Sequence, residues 1–137
     1  MIRMIALSLA AASLSSCAML DTRPPEEIVA ERASNRATLL LEGDFEGSYA
    51  FTTPGYQTLE TVGQYRRRWR GAAMWTGVEV ASVTCDVSSE PSQRCEVVMA
   101  ITFDAPRMPE VTTHMTESWL KVKNVWYFYQ PRGGTLQ

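Results

Sequence analysis

Apolar positions change period once along this chain. Up to Gly71 they recur at helical spacing. Val29, Ala33, Ala37 and Leu40 fall four, four and three residues apart and predict one buried stripe. Pro24 and Pro25 suit the entry to this helix, where a missing amide proton costs nothing, and Glu26 and Glu27 put negative charge at its N-terminus. Gly43 stops it. Asp44 is a good N-cap for a second, short helix with Phe45 and Tyr49 one turn apart. Thr52 to Gln57, containing Pro54-Gly55, predicts a loop. Thr58 then caps a third helix, with Leu59, Val62, Tyr65 and Trp69 as its buried stripe and Gly71 as its end.

Beyond Gly71 the pattern alternates. Trp75 to Val87 is rich in Val and Thr. In Arg94 to Asp104, Cys95, Val97, Met99, Ile101 and Phe103 fall on one face. Val111 to Val122 is a third strand. Lys123-Asn124 makes a two-residue turn, and Val125 to Tyr129 is a short fourth strand. The fold class is therefore α+β: three N-terminal helices packed on a four-stranded antiparallel sheet. In the last hairpin, Trp119 pairs with Phe128 and Lys121 with Trp126 on one face, Leu120 with Tyr127 and Val122 with Val125 on the other. Helices on one side of the sheet leave the second apolar face in need of cover. Leu120, Val122, Val125 and Tyr127 are thus interface candidates, for a second copy or an envelope protein.

Length and composition narrow the picture. The 137 residues suffice for one domain, and 45% hydrophobic with 20% charged residues excludes general disorder. A net charge of -2 supplies no field for nucleic acid, so no nucleic-acid partner is expected. No apolar run reaches the roughly 18 residues of a membrane-spanning helix. Arg66, Arg67, Arg68 and Arg70 form the one charge run. It reads either as a solvated face at a helix C-terminus or as a patch for acidic groups.

The N-terminus carries an address. Arg3 precedes an uncharged apolar run from Met4 to Leu14, which has the length of a signal-peptide core. Leu14-Ser15-Ser16-Cys17 then resembles the bacterial lipobox. That resemblance implies cleavage between Ser16 and Cys17, lipidation of Cys17, attachment to the membrane through the lipid, and, with Ala18 following, the outer membrane facing the periplasm. The other reading is an ordinary secretory signal with Cys17 incidental. The organisation is then residues 1–16 as signal peptide, 17–25 as lipidated tether, 26–130 as a single domain and 131–137 as a tail.

Cys17 set aside, Cys85 and Cys95 remain in an oxidising compartment. Placing them opposite each other also pairs Val83 with Val97, Ala81 with Met99 and Glu79 with Ile101. The apolar faces agree, which predicts a cross-strand disulfide; two free thiols are the alternative. His114 is the only histidine and no second soft ligand accompanies it, so neither a metal nor a cofactor is expected. No frame for a nucleophilic serine occurs.

Three helices before an antiparallel sheet, with the run Ala37 to Glu46, Tyr49, the Thr53-Pro54-Gly55-Tyr56 loop and Trp119-Leu120-Lys121-Val122 leading to Trp126-Tyr127, resemble the nuclear transport factor 2-like, or SnoaL-like, superfamily. The resemblance covers about residues 26–130. It implies a cone-shaped domain with a curved sheet and a pocket between the long helix and that sheet, lined by Tyr49, Tyr56, Tyr65, Met99, Ile101 and Phe103. Such pockets host isomerases and dehydratases as well as non-catalytic binding domains, so fold does not settle function. An enzyme would need a pocket carboxylate. The disulfide register offers Glu79, unless a bulge near the start of its strand turns it outward. One carboxylate is a poor acid–base set. The expected function is a non-catalytic binding or interaction domain on an envelope lipoprotein, with a Glu79-dependent pocket enzyme as the alternative.

Overall fold

A computed structural model describes residues 21–88, 93–104 and 106–132. Its elements run α1 (Pro25–Leu41), α2 (Phe45–Tyr49), α3 (Pro54–Leu59), α4 (Val62–Trp69), a 3-10 turn (Arg70–Met74), then β1 (Trp75–Asp86), β2 (Arg94–Phe103), β3 (Val111–Val122) and β4 (Val125–Tyr129). The protein is α+β, and its sheet is an antiparallel meander in the order β1-β2-β3-β4.

The helices follow their caps. Val29, Ala33, Ala37 and Leu40 are the buried stripe of α1, and Gly43 accepts the left-handed φ of 78° that turns the chain out of it. Asp44 caps α2 by accepting from the Gly47 amide at 2.8 Å. The expected loop at Thr52 to Gln57 is instead largely α3. Thr53 accepts from the Tyr56 amide, and Pro54 sits at the first helical position, where its ring preorganises the turn. The next helix is capped by Thr61, not Thr58. A capping box with Gln64 closes its first turn, with the Thr61 amide donating to Gln64 Oε1 at 2.6 Å. Leu59, expected in the buried stripe, ends α3 instead and is 58% exposed. The chain also coils on through Gly71 as a 3-10 turn before entering β1.

The α1 stripe packs with Val97, Met99 and Ile101 of β2, Trp119 of β3 and Phe128 of β4 in one core. The last hairpin has the expected pairs, Trp119 with Phe128, Leu120 with Tyr127, Lys121 with Trp126 and Val122 with Val125. Both turn residues, Lys123 and Asn124, take positive φ, as a tight two-residue hairpin requires. The outer edge of β4 is covered. The Phe128 amide donates to the Phe51 carbonyl, the Thr53 amide to the Phe128 carbonyl, and Arg32 Nε to the Trp126 carbonyl at 2.6 Å. This blunts an edge that would otherwise template pairing with another chain.

The β1–β2 ladder departs from the expected register. Cys85 faces Cys95 and Val83 faces Val97, but the register then slips across Ala81, so Val80 pairs with Met99, Glu79 with Ala100 and Val78 with Ile101. One extra residue in an antiparallel strand moves the side chains beyond it to the opposite faces. Val80 and Val78 thereby join the apolar inner face, and Glu79 passes to the outer one.

Candidate functional site

Two features sit between the helices and the sheet, and both use Trp69. The first is a closed polar cluster. Arg36 lies on α1 seven residues after Val29, hence on the buried stripe, and is 0% exposed. Its Nη1 donates to Glu117 Oε1 at 2.6 Å, while Trp119 Nε1 donates to Glu117 Oε2 at 3.1 Å. The guanidinium carbon lies 3.6 Å from the Phe128 ring centre and 4.4 Å from that of Trp69. Arg36 is thus held by one carboxylate and the faces of aromatic rings. Nearby, the Ser48 and Tyr65 hydroxyls share a hydrogen bond of 2.7 Å. Burial pushes the Tyr65 pKa above the ordinary tyrosine value, while the Arg36 charge pulls the other way. Both Glu117 oxygens are engaged and both side chains are buried, so the cluster organises the core, with Arg36 Nε and Nη2 unpartnered among the described residues.

The second feature is an open groove of about 300 Å³. Trp69, Ala72, Met74 and Trp75 form one wall where the chain passes from α4 through the 3-10 turn into β1. Ile101 and Phe103 of β2, with Thr113 and Met115 of β3, form its floor. These strand positions alternate onto the inner face of the sheet. Among the described residues Arg68 is the one charged side chain that lines the groove. Its Nη1 donates to the Pro131 carbonyl at 3.1 Å.

The expected pocket residues divide accordingly. Ile101 and Phe103 line the groove. Met99 is buried in the core beneath α1. Tyr49, Tyr56 and Tyr65 contact one another as an aromatic cluster among α2, α3 and α4, away from it. Burial raises the Tyr56 pKa as well, and its hydroxyl has no hydrogen-bond partner among the described residues. The Tyr49 hydroxyl donates to the Glu60 carbonyl at 2.7 Å. None of the three offers its hydroxyl to the groove.

Glu79 is exposed on the outer face beside Ala100, opposite the side that holds the groove. The Ala81 bulge is the reason. Cys85 and Cys95 are joined by a disulfide. His114 is exposed on the outer face, and the described residues hold no cluster of three His, Cys, Asp or Glu side chains able to bind a metal. Leu120, Val122 and Tyr127 are half-buried and Val125 is 39% exposed, together an apolar corner of an otherwise mostly polar outer face. Ser16 and Cys17 lie outside the described residues.

Two observations escaped sequence reading. The Arg36–Glu117 pair was signalled by position 36 on the α1 stripe and by the alternation of Met115, Glu117 and Trp119. The groove had no such signal, because the 3-10 turn that walls it carries no periodic pattern.

Comparison with known proteins bears on the fold. No protein-family model matches the chain, and no curated protein does. Among solved structures it is similar to a SEC-C motif containing protein from Psychrobacter arcticus, with a TM-score of 0.62 and 18% identity over 96% of this chain and 78% of that one. It is also similar to a SEC-C motif containing protein from Rhodopseudomonas palustris, with a TM-score of 0.50 and 21% identity over 69% of this chain and 70% of that one. At these identities the likeness is one of fold.

This corrects the resemblance drawn from sequence. The structural neighbours are SEC-C motif containing proteins, not nuclear transport factor 2-like or SnoaL-like lipoproteins, and neither is described as a lipoprotein or an outer-membrane protein. The motifs that suggested the superfamily are short, and two of them changed meaning in the fold. Thr53-Pro54-Gly55-Tyr56 opens a helix in place of a loop, and Tyr49 joins an aromatic cluster in place of a pocket wall.

Proposed function

We propose that this is a non-catalytic binding domain whose groove takes a small apolar ligand. The observation that carries the reading is the composition of the groove. Indole, methyl, thioether and phenyl groups form its walls, and among the described residues no carboxylate or imidazole lines it. A volume of about 300 Å³ is at the lower end of the range for small-molecule sites. General acid–base chemistry needs an ionisable group facing the substrate. Glu79 on the outer face and Glu117 in its sealed pair weigh against the alternative of a pocket enzyme. In finer detail we read the helices as closing a cone over a curved sheet, open at the groove.

The location belongs to the same proposal. A disulfide favours an oxidising compartment, which supports work at the bacterial envelope. A second copy or an envelope protein docking on the corner at Val125 and Tyr127 is the partner reading. It is favoured by the exposure of Val125 and of Tyr129, the latter at 44%.

The test is titration with the neutral fluorophore N-phenyl-1-naphthylamine. Saturable binding is expected. Thr113→Phe, which fills the groove from an exposed position, should abolish it, and Glu79→Gln should leave it unchanged. Absence of saturable binding, or binding that survives Thr113→Phe, would remove the groove reading.

A further inference from the structure

We propose that the groove holds the chain of a single-chain amphipathic anion, a free carboxylate of the fatty-acid type, with Arg68 receiving its head group. This rests on the groove-binding reading and adds the class of ligand. The first argument is charge. Among the described residues that line the groove, Arg68 is the one charged side chain, and the others are apolar apart from the Thr113 hydroxyl. Among the described residues no carboxylate pairs with it. The nearby carboxylate of Glu60 is instead 3.6 Å from Arg132 Nε. The sequence beside Arg68 is cationic, with Arg66, Arg67 and Arg70. An arginine that is half-buried as a residue, lines an apolar groove and has no carboxylate partner among the described residues is complementary to an anion carrying an apolar body.

The second argument is geometry. Arg68 donates one N–H to the Pro131 carbonyl, and a guanidinium carries further N–H groups in a fork that matches a carboxylate. Size supplies the third argument. About 300 Å³ suits one hydrocarbon chain and is small for a two-chain membrane lipid. The groove is also walled by Trp69 and Trp75, so an occupant lies against two indoles and is readable by them.

The experiment uses the purified full chain and 12-bromododecanoate, whose bromine quenches tryptophan on contact, at a pH where the carboxylate is ionised. Saturable quenching is expected, with displacement by dodecanoate. The methyl ester should bind about tenfold more weakly, and Arg68→Gln should weaken the acid by about tenfold while leaving the ester unchanged, the loss expected for one charge-assisted hydrogen bond. Thr113→Phe should abolish both, with circular dichroism unchanged as the check on folding. Equal affinity for acid and ester, with Arg68→Gln silent, would overturn the anionic ligand and leave the apolar groove reading standing. Failure of acid, ester and the neutral fluorophore alike would remove both. Binding to phosphatidylglycerol vesicles that survives Thr113→Phe, without saturable quenching by the free acid, would overturn the proposal in favour of a membrane headgroup source.

Discussion

Arg36 and Glu117, 81 residues apart in the chain, form an ion pair of 2.6 Å with side chains 0% and 2% exposed. The pair ties α1 to β3 through the middle of the core. Removing one partner strands the other charge where water cannot reach it. Glu117→Ala should therefore destabilise by about 3–5 kcal/mol, read as a lowered urea midpoint. Replacing both, as Arg36→Met with Glu117→Leu, should recover most of that loss. A single Glu117→Ala variant within about 0.5 kcal/mol of wild type would contradict the burial of the pair.

The Cys85–Cys95 bridge closes a span of ten residues at the end of the β1–β2 hairpin. Cys85→Ala with Cys95→Ala should cost roughly 2–3 kcal/mol, and less if the hairpin already forms in the unfolded ensemble. Non-reducing mass spectrometry of the wild type should find no free thiol at either position. Alkylation of both in the native protein would refute the pairing.

Much of this architecture was legible because it rests on periodicity. The α1 stripe, the Asp44 cap, the change from helix to strand after Gly71 and the pairs of the last hairpin all follow from spacings of apolar residues and from one turn dipeptide. What escaped was local and aperiodic. Pro54 looked like a breaker, yet at the first helical position it starts a helix. Ala81 looked like any strand residue, yet it is the extra one, and a small side chain in an alternating run carries no mark of a bulge. That single residue decides the candidate site, because it carries Glu79 away from Ile101 and Met99. Arg36 was hidden by its charge, though its position on the stripe was plain.

The outer corner carries its own test. Tyr127 is half-buried on the outer face, with the Arg32 guanidinium carbon 6.0 Å from its ring centre. If two copies meet there, sedimentation should show a dimer, and Tyr127→Arg should give monomer by placing unpaired charge in an apolar contact. A wild type that sediments as a monomer, and draws no envelope protein that Tyr127→Arg fails to draw, would empty this corner of a partner.

Alkaline pH probes the interior through Tyr65. Burial raises its folded pKa above the ordinary value of about 10, and Tyr56 moves the same way. In the unfolded chain both hydroxyls ionise near that ordinary value. The folded state therefore holds its protons more tightly. The stability tied to these hydroxyls is fully present below about pH 10 and is lost as pH rises through the folded pKa. Urea midpoints should thus fall on the alkaline side, and two tyrosines should show delayed phenolate absorbance in the native protein. Tyr65→Phe deletes the more deeply buried hydroxyl together with its bond to Ser48, leaving that serine without the partner. Its cost at neutral pH should be about 1 kcal/mol, and its alkaline decline should be shallower than that of the wild type. A variant that declines as steeply as the wild type would show that Tyr65 is not the group whose ionisation the fold resists.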